Sequence, residues 1–206
     1  MNEFNSRARL WDSNPVHWER SEAIAKYILE MVPIKPEMRA LEFGAGTGIL
    51  GFLLSYSFSE ITLMDNSEEM VKIMQEKVQN ARQEHITPIL FDLEHYDYQT
   101  KKFDFICSQM VLHHISDIQK MFGQFYKTLD PGGYLAIADL YSENGSFHGK
   151  WFNGHNGFDV IKLQQELEKA GFTHIATKQC YIIKKEIEGA LMDFPVFIMV
   201  AAKPAT

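Results

Sequence analysis

An apolar run that feeds three closely spaced glycines, Leu41-Glu42-Phe43-Gly44-Ala45-Gly46-Thr47-Gly48-Ile49-Leu50, constrains this chain more than any other segment. The residues before the glycines read as a short buried strand, and those after them as a helix start. Glycine at such a bend permits positive φ and lets a ligand lie against backbone with no Cβ between. The amides of the helix N-terminus that follows point at whatever binds. A bare tight turn is the bland alternative. Alternate glycines at the crevice end of a first strand favour a ligand loop.

From residue 39 to about 171, strand and helix patterns alternate. RALEF (39–43), EITLMD (60–65), ITPILFD (86–92), KFDFICS (102–108) and GYLAIADL (133–140) are short and mostly apolar throughout. That suits parallel strands covered on both faces. Ile118, Met121, Phe122, Phe125 and Leu129 form one helical stripe, with Ser116 and Gln119 as an expected capping box and DPGG (130–133) as the stop. Met70, Met74 and Val78 mark a second helix, with Asn66 and Glu69 as its cap pair. Val160, Leu163, Leu167 and Ala170 mark a third, opened by Asp159 and closed by Gly171. Ile24, Tyr27, Ile28 and Met31 form an N-terminal helix behind Ser21, ending at Pro33. FTHIATKQCYIIKK (172–185) and DFPVFIMVAAK (193–203) have no helix between them, so this last pair is expected to be antiparallel. The pattern predicts an α/β fold: a doubly wound, mostly parallel sheet with an antiparallel C-terminal hairpin.

Composition narrows the function classes. With 206 residues, 46% of them hydrophobic and 15 of them Phe, the chain has material for one sizeable core. A net charge of -7 argues against broad phosphate-backbone binding, so no nucleic-acid partner is expected. Cys107 and Cys180 are the only cysteines and make no disulfide framework, which points to a reducing cytoplasm. No secretory leader is read at the start. The longest apolar run, FPVFIMVAA (194–202), is about half of what a membrane span needs.

The ligand class follows from the charges around the bend. No Gly-Lys-Ser/Thr follows it, which excludes a Walker loop. A dinucleotide pattern runs through Gly46, Gly48 and Gly51, with Asp65 at about the expected distance. It starts two residues late after Phe43, leaves Gly44 without a role, and sets Glu42 where a pyrophosphate would be repelled. An acid there suits a cation better.

On these residues the chain resembles the class I S-adenosylmethionine-dependent methyltransferases, particularly the small type 11 group. LEFGAGTGIL (41–50) is similar to their glycine motif, with Glu42 at its acidic position. LMDNSEEM (63–70) resembles the second motif, FDFICSQMVLHHI (103–115) the fourth-strand motif and LDPGGYLAIAD (129–139) the fifth. GFDVIKLQQELEKAGF (157–172) is similar to the helix that follows, and the likeness extends from about residue 10 to 203. It implies a Rossmann-like seven-stranded sheet and a single methyltransferase domain over 1–206, with a cap and helix region to 36 and a catalytic core over 37–206. It implies S-adenosylmethionine as cofactor, S-adenosylhomocysteine as product and a small-molecule acceptor, in a monomer or homodimer. The cofactor set would be Glu42, Gly44, Ala45, Gly46, Thr47, Gly48, Asp65, Asn66, Met70, Asp92, Leu93, Ser108 and Gln109. Asp65 would accept from the ribose hydroxyls, although an aspartate after a strand is also a common helix cap. Asp92 would accept from the adenine amino group, with the Leu93 amide donating to a ring nitrogen. Ser108 and Gln109 would meet the methionine portion. An NAD(P)-binding oxidoreductase and a non-catalytic S-adenosylmethionine-binding protein are the alternatives.

Methyl transfer from a sulfonium needs alignment and exclusion of water, and a general base only where the acceptor is protonated. His113 and His114, just after the fourth strand, and His155 are the catalytic candidates. His155 lies in YSENGSFHGKWFNGHNGFD (141–159), a long loop read as a binding lid or a disordered stretch. Asn156 stands where related sequences often have a second histidine. His148 and His155 share no ligand spacing with a carboxylate or cysteine, so no metal is expected. Trp11, His17 and Trp18, within FNSRARLWDSNPVHWER (4–20), either stack on the substrate or pin the segment to the core.

Overall fold

The computed structural model describes residues 8–206, so Phe4 to Arg7 of the aromatic N-terminal stretch lie outside it. Its sheet has seven strands: β1 (Arg39–Phe43), β2 (Glu60–Asp65), β3 (Ile86–Leu90), β4 (Phe103–Gln109), β5 (Leu129–Leu140), β6 (Thr173–Ile187) and β7 (Ala190–Ala202). Their order is β3-β2-β1-β4-β5-β7-β6. The first five pair in parallel, and β7 runs antiparallel between β5 and β6. Five helices accompany them: α1 (Pro15–Met31), α2 (Ile49–Leu54), α3 (Glu68–Ala81), α4 (Ile118–Thr128) and α5 (Val160–Lys169).

The apolar runs are explained by cover on both faces. Along β7, Val196, Ile198 and Val200 join a core with Ile24 of α1, Leu50 of α2 and Met74 of α3. The alternate residues Phe197, Met199 and Ala201 join Phe122 and Phe125 of α4 and Leu163 and Leu167 of α5. A strand buried on both sides cannot show polar alternation. The doubly wound sheet and its antiparallel end are as expected. Because β1 is flanked by β2 on one side and β4 on the other, the winding reverses there, and a crevice opens at the strands' carboxyl ends.

The helix starts differ from the sequence reading. α1 begins at Pro15, where the Asn14 side chain accepts from the Val16 amide at 3.1 Å. The polar turn around Glu19 and Arg20 hid that first stretch, and Ser21 is buried inside the helix. Ser67, not Asn66, caps α3 by accepting from the Met70 amide. Asp117 caps α4, while Ser116 turns its hydroxyl to Glu94 at 2.8 Å. Neighbouring Ser, Asp and Asn compete for one cap, and tertiary partners decide which wins. β5 takes in the expected DPGG stop, and the β6–β7 hairpin closes tightly at Glu188 and Gly189, both with positive φ. Among the described residues, no helix is long and apolar enough to cross a membrane. Cys107 and Cys180 are both free.

Candidate active site

The chain leaves β1 through the glycine bend, where the Ala45 amide donates to the Met64 carbonyl at 3.0 Å and ties the bend to β2. Gly46 has φ of 58°, and a Cβ built there would meet nothing within 4 Å. Bare backbone therefore faces open space, as a ligand cradle requires. The space is a cleft of about 980 Å³, including its mouth, bordered by the bend, the ends of β2 and β4, and the loop after β3.

Asp65 ends β2 at the cleft wall. Its Oδ2 accepts from the Gly46 amide at 2.7 Å and its Oδ1 from the Ser67 amide at 2.9 Å. Burial raises its carboxyl above the ordinary carboxylate range, against the pull of these amides. Asp92, after β3, accepts from the amides of Glu94 and His95 and pairs with the His95 ring at 2.9 Å. Asn66, Met70, Leu93 and Gln109 also line the cleft.

Glu42 sits differently from the wall acids. It is buried beneath the bend rather than along the cleft, with Oε2 accepting from the Gly51 amide at 2.8 Å and Oε1 buried without a partner. Burial pushes its carboxyl up to about 8, so it is largely protonated at neutral pH. Thr47, Gly48 and Ser108 likewise lie off the cleft lining. Buried Thr47 donates through its hydroxyl to Asp12 at 2.5 Å, and Asp12 also pairs with Lys77 of α3. This bridge holds the 3-10 turn Ala8–Ser13 against the bend and sets Trp11 into the cleft wall. His17 stacks on Trp11 at 4.3 Å, and Trp18 donates to the Asp12 carbonyl at 3.0 Å. Trp11 thus both pins the segment and faces the cleft; Trp18 only pins.

Among the cleft residues that sequence reading passes over are Arg20 and Met110. Arg20 is buried yet lines the cleft, its Nε has no hydrogen-bond partner, and among the described residues no carboxylate pairs with it. Desolvation lowers its guanidinium to about 10, which leaves it cationic at neutral pH. Met110, at the end of β4, holds φ of 54° on the cleft wall. A non-glycine residue there carries local backbone strain at a ligand edge.

The three catalytic candidates separate. His114 lines the cleft, and burial followed by the proximity of His113 lowers its imidazole to about 4, so it is neutral at pH 7. His113 is buried behind it, with Nδ1 2.6 Å from Asp139 Oδ1. A carboxylate only accepts, so that nitrogen carries the proton. His155 lies off the cleft lining: its amide donates to the His113 carbonyl at 2.8 Å and its ring Nε2 to the Ile115 carbonyl at 2.9 Å. It tethers the 141–159 segment, which is folded against the site rather than disordered. Phe147 packs edge-on to Phe194, and Phe158 to Phe197. His148, given no partner by sequence spacing, comes beside His113 and His114, with ring centroids 4.8 and 5.5 Å away.

The donors fit a nucleoside with a charged amino-acid tail: an open glycine cradle, an acid at the end of β2, and an unsatisfied buried guanidinium. Comparisons with known proteins agree with this chemistry. The family model described as a methyltransferase domain matches residues 16–194. An uncharacterized methyltransferase of Schizosaccharomyces pombe is 31% identical over 122 residues, 56% of this chain and 43% of the relative. Phosphoethanolamine N-methyltransferase 1 of Zea mays is 26% identical over 179 residues, 79% of this chain and 34% of the relative. The chain thus spans less than half the length of these curated relatives. The solved N-methyltransferase NodS of Bradyrhizobium japonicum, in complex with S-adenosyl-L-homocysteine, superposes with a TM-score of 0.70 at 18% identity. That match covers 95% of this chain and 91% of NodS, and it shows the same fold.

Proposed function

Because the chain belongs to the methyltransferase-domain family, we propose that it moves the methyl group of S-adenosylmethionine to a small-molecule acceptor by in-line displacement. S-Adenosylhomocysteine is the product. The observation that carries the reading is the bare Gly46 backbone opening onto a cleft that Asp65 and Arg20 flank with opposite charges. When bound, the cofactor supplies an already activated methyl group. The residues then align the acceptor and exclude water, and such positioning is worth on the order of 7–11 kcal/mol.

Asp65 accepts from the vicinal ribose hydroxyls, and Asp92 with the Leu93 amide reads the adenine edge. Arg20 and Gln109 hold the amino-acid tail, the carboxylate answering the positive charge of the guanidinium on the cleft wall. Glu42, Thr47, Gly48 and Ser108 act from behind, fixing the shape of the bend and of the end of β4. His114 presents a neutral imidazole to the acceptor, while His113 and His155 orient it. Trp11 closes one wall of the cleft and the 141–159 segment packs beside it, which supports a small acceptor, as does the Zea mays relative's named substrate. The domain works as one unit, with the described part of the 1–36 region, residues 8–36, capping a core of 37–206. Two free cysteines support a reducing cytoplasm, and the acidic balance argues against nucleic acid.

Calorimetric titration with S-adenosylhomocysteine tests the reading. Micromolar binding is expected, weakened at least about 100-fold in Asp65→Ala, since two hydrogen bonds to a charged group are lost. Unchanged affinity in that variant would overturn the ribose role.

A further inference from the structure

The segment after β5 brings His148 to the two histidines after β4, although 33 residues separate it from His114 in the chain. One ring nitrogen from each of His113, His114 and His148 lies within 4.8 Å of the others. Sequence spacing gives a metal little support because it joins no carboxylate or cysteine to His148 and His155; the fold supplies ligands from another loop.

We propose that these three imidazoles ligate a Zn(II)-class divalent ion that pins the 141–152 stretch to the loop after β4 at the border of the cleft and keeps a fourth position for the acceptor. Three imidazole nitrogens plus one exchangeable position is a recurrent donor set for such ions. Two nitrogens bound at about 2.0–2.1 Å to a tetrahedral ion lie about 3.3 Å apart. The cluster therefore has to contract by roughly an ångström, and His148, exposed at the loop surface, is the ligand able to move.

The surroundings are built for ligation. His113 Nδ1–H donates to Asp139, which also accepts from the His113 and Leu140 amides, so the carboxylate is held by three donors. That leaves Nε2 of His113 as the ligating atom and fixes its ring, the usual carboxylate–histidine support of a bound ion. Phe152 stacks on His148 with centroids 3.9 Å apart and meets His114 edge-on at 5.3 Å, so an apolar wall closes one side. His114 lines the cleft, which places the cluster at its border. The use of the fourth position rests on the methyl-transfer reading; the binding of the ion does not.

Full-length, tag-free protein stripped by chelator is titrated with Co(II) and followed by the visible absorption of a tetrahedral nitrogen site. One equivalent is expected to saturate the band, and Zn(II) to bleach it. His148→Ala is expected to lose the band, and Asp139→Asn to weaken Zn(II) about 10- to 100-fold, as removal of a supporting hydrogen bond does. Trypsin cleavage after the exposed Lys150 is expected to slow with Zn(II) in the native protein and not in His148→Ala. S-Adenosylhomocysteine calorimetry on each variant verifies the fold, and its failure in the native protein would strike the methyl-transfer reading alone. A stoichiometric band that survives His148→Ala, or no band in native protein, overturns the proposal.

Discussion

Two buried ionisable side chains carry the electrostatic cost of the ligand-free cleft. Glu42, ordinarily near 4.5, is pushed to about 8 by burial. Between those values the folded protein holds a proton that the unfolded chain releases, so its contribution to stability falls as pH rises through that window. Glu42→Gln removes this slope. Urea unfolding is expected to show the variant gaining on native protein by a few kcal/mol from pH 4 to pH 9, because each tenfold change in proton affinity is worth about 1.4 kcal/mol. Arg20 carries the opposite kind of desolvation, as a buried cation that Asp139 offsets only in part. In Arg20→Met, S-adenosylhomocysteine affinity is expected to drop about 10- to 100-fold, the loss of one or two charged hydrogen bonds. The ligand-free melting temperature is expected to rise by a few degrees, because a desolvated charge that Asp139 offsets only in part is gone. A fall in both quantities would make Arg20 purely structural. Asp65 was legible in the sequence because its place follows from one strand and one bend. Arg20 was not: helical periodicity assigns an arginine to solvent, and only the cover of the 3-10 turn and β6 buries it.

At the scale of elements, the bend and α2 act as one piece. Gly51 lies in the first turn of α2, and a Cβ there would meet Leu63 at 2.2 Å and Glu42 Oε2 at 2.7 Å. Gly51→Ala is expected to lower unfolding free energy by about 1–3 kcal/mol through overpacking, measured by urea titration. S-Adenosylhomocysteine binding is expected to weaken with it, since the displaced helix carries the bend. Strands were the most legible elements, because a run buried on both faces needs no partner to be recognised; β1 and β2 match their sequence ranges residue for residue. Helix starts were less legible. At Ser116 and Asp117 the sequence offers two caps, and Glu94, 22 residues away, takes the serine. The glycines and asparagines of the 141–159 segment carry no period, so its sequence reads equally as lid or disorder. Its order comes from Tyr141, Phe147 and Phe158 packing on β7, contacts that no local pattern encodes.

Across the whole molecule, the division of labour follows the direction of the strands. The residues that line the cleft follow the carboxyl ends of β1 to β4 or, as Trp11 and Arg20 do, reach over them from the 8–20 segment, while the 141–159 segment packs beside the cleft through His113. The opposite edge is clamped by Arg39, which reaches Asp104 at 3.2 Å and Asp130 at 2.7 Å. The architecture was readable from the sequence because it depends on apolar runs and connection lengths. The meeting of His148 with His113 and His114 was not, since it arises only once both loops stand on the finished sheet. Both segments are held to the frame by their own anchors, the Asp12 bridge for the first and the His155 contacts for the second. Descendants of this chain are therefore free to exchange one acceptor for another by rewriting two short stretches, while the folded scaffold beneath is inherited unchanged.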